Sequence, residues 1–460
     1  MVDRVRAMTR GRRGWRIARR IGFGLLAFVL VALVGGYLYA KPLLLTGTGY
    51  AAHNACAVAG IAGRQVGERT DLPPNPLVPY LRTSPNSDGS EVNSTVLGVL
   101  ARQTASYRSD TGCTIGGTVS DRVTTRVDAS RNPLATAPSP APNPAIDAAL
   151  ATAYGDDLDP TAKEILGTRA IVVLKDGKLV GERYATGFDA TTRQLGWSMA
   201  KSVTNLIVGR LVAQGTVKVT DAALRPEWTD DRKTITVDQL MRMTSGLAWD
   251  ETYDLGTPIT SMLYLEPDMS KFVASQPLAH SVGSYQQYSS GSTNLLCDML
   301  ARKAGARADL PARTLLAPLG LGSAIWETDT TGMPVCSSYL WATPRDWAAI
   351  GQFALQDGVW NGERLLPEGW MTTSTTAQPV AKTEDPGYAA GWWANKLPDG
   401  SLVEPSLPAD TYWASGHDGQ RVFVVPSEQL VVVRLGFSPQ APNKDIRAVA
   451  LVKNLIAATR

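Results

Sequence analysis

The chain's most sustained apolar pattern comes early. Residues 21–40 run without a single charge. As a helix rising about 1.5 Å per residue, that run is about 30 Å long, the thickness of a bilayer's hydrocarbon core. It predicts a transmembrane helix over 21–40, closed by Lys41. Residues 41–131 are rich in Gly, Ala and Thr and show no clear period. Residues 132–145 (NPLATAPSPAPNPA) have the composition of an extended, semi-rigid linker. Beyond them the pattern becomes regular. Apolar runs at 170–174 and 179–184 flank Asp176-Gly177, a strong hairpin signal. Val203, Leu206, Ile207 and Leu211 recur at helical spacing, and the pattern stops at Gly215. Residues 422–425 and 430–435 predict a second hairpin, and 445–458 a closing helix. The stretch 231–390 reads as helix and loop. Strands at both ends with helices between them predict one α/β unit over 146–460. Its antiparallel sheet would be assembled from chain-distant hairpins, flanked by helices, with a mostly helical insert at about 231–390.

Charge changes the picture only at the start. The overall formal charge is +3, but residues 1–20 hold eight Arg against one Asp. The remainder is therefore net negative, and no nucleic-acid partner is implied. A basic block beside an apolar run stays cytoplasmic. The organisation expected is a basic cytoplasmic segment (1–20), an anchor in the lipid bilayer (21–40), a juxtamembrane region (41–131), the linker and the 146–460 domain. Everything after Lys41 is then extracytoplasmic, periplasmic or at the cell surface. A cleaved signal peptide is the competing reading. Its apolar core would span roughly 7–15 residues, before a small-x-small site that Leu38-Tyr39-Ala40 fits poorly.

An extracytoplasmic location permits disulfides. Cys56 and Cys113, each among small residues, are expected to pair. Cys297 lies in an apolar run, where a buried free thiol is an equal alternative, and its pairing with Cys336 stays open. No cysteine pair has metal-ligand spacing and there are only three His, so no metal or cofactor is implied.

Candidate chemistry begins at Ser198 and Lys201. Three residues apart at a predicted helix start, they share one face. A lysine amine there can draw off the serine proton, and the free N–H groups of the helix start favour developing negative charge. Ser-x-x-Lys alone recurs by chance about once in a chain this long. Two more segments give it weight: Tyr285-Gln286-Gln287-Tyr288-Ser289-Ser290-Gly291 before an apolar helix, and Ser415-Gly416-His417-Asp418-Gly419-Gln420 before the last hairpin.

In order and setting these segments resemble the three motifs of the penicillin-recognising, β-lactamase/transpeptidase-like serine hydrolases, especially the class C β-lactamase and carboxylesterase group. Leu240-Met241-Arg242-Met243-Thr244-Ser245-Gly246-Leu247, Trp341-Ala342-Thr343-Pro344-Arg345-Asp346-Trp347, Leu366-Pro367-Glu368-Gly369-Trp370 and Gly391-Trp392-Trp393 extend the resemblance over roughly 165–455. Tyr288-Ser289-Ser290-Gly291 and Trp249-Asp250-Glu251-Thr252-Tyr253 are most similar to the 6-aminohexanoate-dimer hydrolases. The resemblance implies a catalytic set of Ser198, Lys201 and Tyr288, and an oxyanion site at the backbone N–H groups of Ser198 and Gln420. It implies a substrate surface of Tyr253, Ser290, His417, Asp418 and Gly419, with Gly419 leaving room for the substrate along the strand. Ser290 stands where many relatives have Asn, and His417 where β-lactamases have Lys. Both departures favour a small, weakly anionic ester or linear amide over a β-lactam. The alternatives are a D-amino-acid peptidase, carboxypeptidase or β-lactamase acting on cell-wall peptides or β-lactams, and a non-catalytic envelope binding protein.

Overall fold

The computed structural model describes residues 2–67 and 70–460; the side chains of residues 2–14 and 16–18, most of the basic block, lie outside the described ones. Helix α1 spans Val2–Gly60. Its charge-free stretch is exposed along most of its length, and the described helix is long and apolar enough to cross a membrane. The helix does not stop at Lys41. It continues to Gly60, with Pro42 inside it, and from Thr46 onward it becomes buried. Small residues there, Ala51, Ala52, Ala55 and Ala57, let a sheet pack close. That sheet is an antiparallel meander of β1 (Leu81–Pro85), β2 (Glu91–Val96), β3 (Leu100–Arg108) and β4 (Gly112–Ile115). The Cys56–Cys113 disulfide ties α1 to β4.

The juxtamembrane part and the rest of the chain are packed together. His53, buried in α1, bonds Glu327 at 2.7 Å and stacks on Tyr339. Thr114 donates to the Thr328 carbonyl. The Pro/Ala-rich stretch, expected as a linker, is a strap laid on the domain. Asn132 is buried and donates to Asp346 at 2.7 Å, and Arg345 donates to the Ala137 carbonyl at 2.6 Å. Its prolines keep it extended, while its carbonyls find partners in the helix Pro344–Leu355 beneath.

The main sheet unites both ends of the domain. Its six antiparallel strands run in the order β7 (Trp393–Ala394), β8 (Tyr412–Gly416), β9 (Gln420–Val425), β10 (Leu430–Gly436), β5 (Thr168–Lys175) and β6 (Lys178–Tyr184). The two expected hairpins thus meet at β10 and β5, with Val432 opposite Val173. The sheet is covered on both faces, so alternate residues feed two cores. Ala170, Val172 and Leu174 face the core that holds the helix Met199–Ala213; Ile171 and Val173 face Pro144–Ala153 and the closing helix Ala448–Ala458. This double burial explains why the strands read as continuous apolar runs instead of alternating ones.

Candidate active site

A sharp turn presents Ser198. Trp197 before it has φ of 48°, a conformation that costs a bulky residue about 1–3 kcal/mol. Met199–Ala213 then carries Ser198 and Lys201 on one face, as their spacing implies. Lys201 is 2% exposed. Its Nζ lies 2.9 Å from Ser198 Oγ, 2.9 Å from Ser290 Oγ and 3.1 Å from the Ser337 carbonyl. Burial pulls the Lys201 pKa down to about 8, against the opposing pull of the Glu251 charge. A neutral amine has two N–H groups and one lone pair. Ser290 and Ser337 take the two hydrogens, which leaves the lone pair for the Ser198 proton.

Ser290 was expected to face substrate. It is instead wholly buried at the start of the helix Ser290–Ala304. Its hydroxyl accepts from Lys201 and donates to Glu251, whose other oxygen takes the Ser290 N–H at 2.8 Å and the Trp249 indole N–H at 2.6 Å. Glu251 reaches in to Ser290 from the loop after Trp249, and sequence reasoning did not single out this carboxylate. The signal was two residues from Tyr253, an acid flanked by Trp and Tyr. Ser337 was missed as well. Its neighbour Cys336 pairs with Cys297, which resolves that cysteine as a disulfide partner tying the Ser290–Ala304 helix to the Ser337 carbonyl.

Tyr288 completes this group. Lys201 Nζ sits 4.7 Å from its ring centroid, and Tyr388 and Trp393 brace the ring. Burial, then the Glu251 charge, push the phenol pKa up; contact with the Ser198 hydroxyl and the Arg421 charge pull the other way. Arg421, also missed, is anchored by the Gly416 and Gln420 carbonyls, and burial lowers its pKa to about 10.

The third segment differs in detail from expectation. β8 approaches the turn before Ser198 at Gly416, where a Cβ would collide with the Gly196 carbonyl. Residues 417–419 form a turn, and Gln420 opens β9, one strand further into the sheet. The Gln420 side chain locks the turn, donating to the His417 carbonyl at 3.3 Å and accepting the Gly436 N–H at 3.0 Å. Gly419 does not leave space for a ligand: at φ of 92°, a Cβ there would meet Arg434 at 2.6 Å. Its smallness serves packing of the turn. Asp418 is buried with its carboxylate 3.4 Å from His417 Nε2, and burial raises its pKa. His417 is partly exposed, stacks on Tyr253 at 4.6 Å and meets Trp197 edge-on. Tyr253 and His417 are thus brought beside the turn that presents Ser198.

A strained turn presenting a serine, a buried lysine three residues on and a tyrosine over that lysine, on an antiparallel sheet, form the arrangement of one hydrolase family. Its model, described as Beta-lactamase, matches residues 159–453. The chain belongs to the β-lactamase family of serine hydrolases. Among curated relatives, a 6-aminohexanoate-dimer hydrolase of Paenarthrobacter ureafaciens is 24% identical over 319 residues, covering 63% of this chain and 77% of that one. A family VIII carboxylesterase has a similar fold, with a TM-score of 0.56 at 16% identity over 70% of this chain and 99% of the other. A penicillin-binding-protein homologue from Caulobacter crescentus gives 0.53 at 16% identity, again over 70% and 99%. At such identities the two structures speak for the fold alone. The family match starts beyond α1 and the β1–β4 sheet.

Proposed function

We propose that the protein cleaves small esters or linear amides outside the membrane through an acyl-enzyme on Ser198, with α1 as an uncleaved anchor. The observation that carries this reading is the Lys201 amine, buried and 2.9 Å from Ser198 Oγ, with both hydrogens of its neutral form directed elsewhere. Ser198 Oγ attacks the carbonyl carbon and its proton passes to Lys201. Tyr288, sharing that proton, delivers it to the leaving alcohol or amine as the carbon–oxygen or carbon–nitrogen bond breaks. Water then attacks the ester on Ser198, gives its proton to the same pair, and restores the serine as the acid departs. The developing oxyanion is held by the Ser198 N–H and by an N–H of the turn after Gly416, in place of the expected Gln420 N–H, since Gln420 opens the next strand.

The surrounding charge supports a neutral substrate. Glu251 and Asp385 act on Tyr288 against the one cation Arg421, and His417 replaces the fixed cation that a carboxylate-bearing β-lactam would meet. The location rests on the arginine block preceding the charge-free stretch of the chain and on two disulfides, bonds that persist in oxidising compartments. Ser198→Ala is expected to abolish both hydrolysis of p-nitrophenyl acetate and labelling by a fluorophosphonate probe. Retention of both in that variant overturns the assignment. Release of D-alanine from a peptidoglycan pentapeptide, with no turnover of simple esters, would favour the peptidase reading instead.

A further inference from the structure

Residues 41–131 lie outside the matched family segment, yet they wall a cavity beside the active site. It encloses about 430 Å³, within the size range of small-molecule sites. Thr46, Gly47 and Tyr50 of α1 form one side and Leu72, Leu77 and Val78 an apolar other, while Asn75, Asp254, Asp418 and Gln440 add polar groups to the rest of the wall. Tyr253 and His417 close its inner end, and both rings contact Trp197, the residue before the nucleophile. Tyr50 meets the same Trp197 ring edge-on at 6.1 Å.

The outer wall is continuous with an exposed apolar tip. Leu72, Leu77 and Val78 pack on a small cluster that includes Leu81, Val96 and Ala101. That cluster ends at the turn between β2 and β3. There Leu97 and Val99 are 58% and 79% exposed, and Tyr80, whose carbonyl accepts the Leu97 N–H, is 52% exposed. Leu97 has φ of 54°. Hairpin turns usually give that conformation to Asn, Asp or Gly, so water offers no reason for a leucine here. The depth of the tip is fixed independently. The Ala101 N–H donates to the Tyr37 hydroxyl at 3.1 Å, and Tyr37 lies inside the charge-free stretch of α1, less than one helical turn from its end. The tip is therefore held level with the apolar stretch. Thr46, at the cavity, is only about 9 Å further along the helix than Ala40.

We propose that Tyr80, Leu97 and Val99 are immersed in the bilayer surface, and that the adjoining cavity receives the apolar tail of an ester or amide that partitions into the membrane. The tail lies along the α1 wall and passes Tyr253, which places the carbonyl at Ser198. This deepens the proposed function and rests on both the anchor and the Ser198 assignment. It makes the membrane-proximal region part of the substrate site and not only a tether.

The test uses the full-length protein in phosphatidylcholine nanodiscs. Hydrolysis of p-nitrophenyl dodecanoate and acetate is compared in the unaltered protein, in Leu72→Trp, which fills the cavity, and in Leu97→Asp/Val99→Asp. The expected result is at least a tenfold higher kcat/KM for dodecanoate in the unaltered protein. Leu72→Trp should cut the dodecanoate-to-acetate ratio at least tenfold. The tip variant should lower dodecanoate turnover and leave acetate turnover unchanged. Equal ratios in the unaltered protein and Leu72→Trp overturn the cavity assignment. Two readouts do not depend on catalysis. All four native cysteines are in disulfides, so a nitroxide on Val99→Cys reports one site; oxygen accessibility typical of lipid is expected, and water-like accessibility overturns the immersed tip. A diazirine-bearing dodecanamide should crosslink to the 70–81 peptide and lose that crosslink in Leu72→Trp; no crosslink there overturns the tail site. Crosslinking without hydrolysis of either ester would instead sink the hydrolase reading and leave the tail site standing.

Discussion

The two sides of Ser198 are built on opposite plans. On the Lys201 side the lysine, Ser290 and Glu251 are bonded to one another. Lys201 has three partners, Ser290 is wholly buried, and Glu251 receives three hydrogen bonds. On the Tyr253 side the groups are stacked aromatics beside an open cavity, and one Asp418 carboxylate oxygen has no hydrogen-bond partner among the described residues. A closed network fixes protonation and geometry, which proton transfer needs. An open, largely aromatic surface accepts varied shapes. The difference teaches that chemistry and selectivity are separable here, and variants on the two sides should fail in different ways.

The largest expected effect comes from breaking the closed side. Lys201→Met should lower kcat by at least about 10³-fold, since it removes the proposed base and not merely a contact. The same variant should melt higher at pH 7. The folded pKa of Lys201 is lowered to about 8, so the unfolded chain binds its proton more tightly. The resulting penalty on folding is fully present below pH about 8. It fades as pH rises toward the ordinary lysine value near about 10.4, and so does the gain in the variant. Steady-state kinetics and melting curves at pH 7 and 10 check both parts.

Glu251→Gln should be milder, about 10–100-fold in kcat, because the network loosens while the base remains. It carries a sharper signature. The Glu251 charge raises the Lys201 pKa, so its loss should move the rising limb of the pH–rate profile to lower pH. A limb that stays in place or moves up would detach Glu251 from Lys201.

The smallest effect is expected on the open side. Tyr253→Ala should raise KM by about 5–30-fold, equivalent to about 1–2 kcal/mol of stacking and contact, with kcat changed by less than about threefold. A fall in kcat with KM unchanged would place Tyr253 in the chemistry instead.

The same division marks what the sequence made legible. Ser198, Lys201 and Tyr288 stand out because helix spacing and motif order are local properties. The sheet's two hairpins were visible for the same reason, and they meet at Val432 and Val173 as chain-distant partners. Glu251 was hidden because its partner Ser290 is 39 positions away, and no local pattern reports such a contact. Gly419 misled because a glycine beside a motif invites a ligand, while its neighbour here is Arg434 of the next strand. The continuation of α1 past Lys41 was obscured by its Gly, Thr and Pro42. Those residues weaken helix propensity, but burial against β1–β4 overrides it.

The account's central claim is that a lowered-pKa Lys201 activates Ser198. The most direct test is the rate of covalent labelling by a fluorophosphonate between pH 5.5 and 9.5, with the modified peptide mapped by mass spectrometry. The account predicts one adduct, on Ser198, forming at a rate that rises through a single ionisation near pH 8. An adduct on another residue, or a Ser198 rate that does not change across that range, would contradict it.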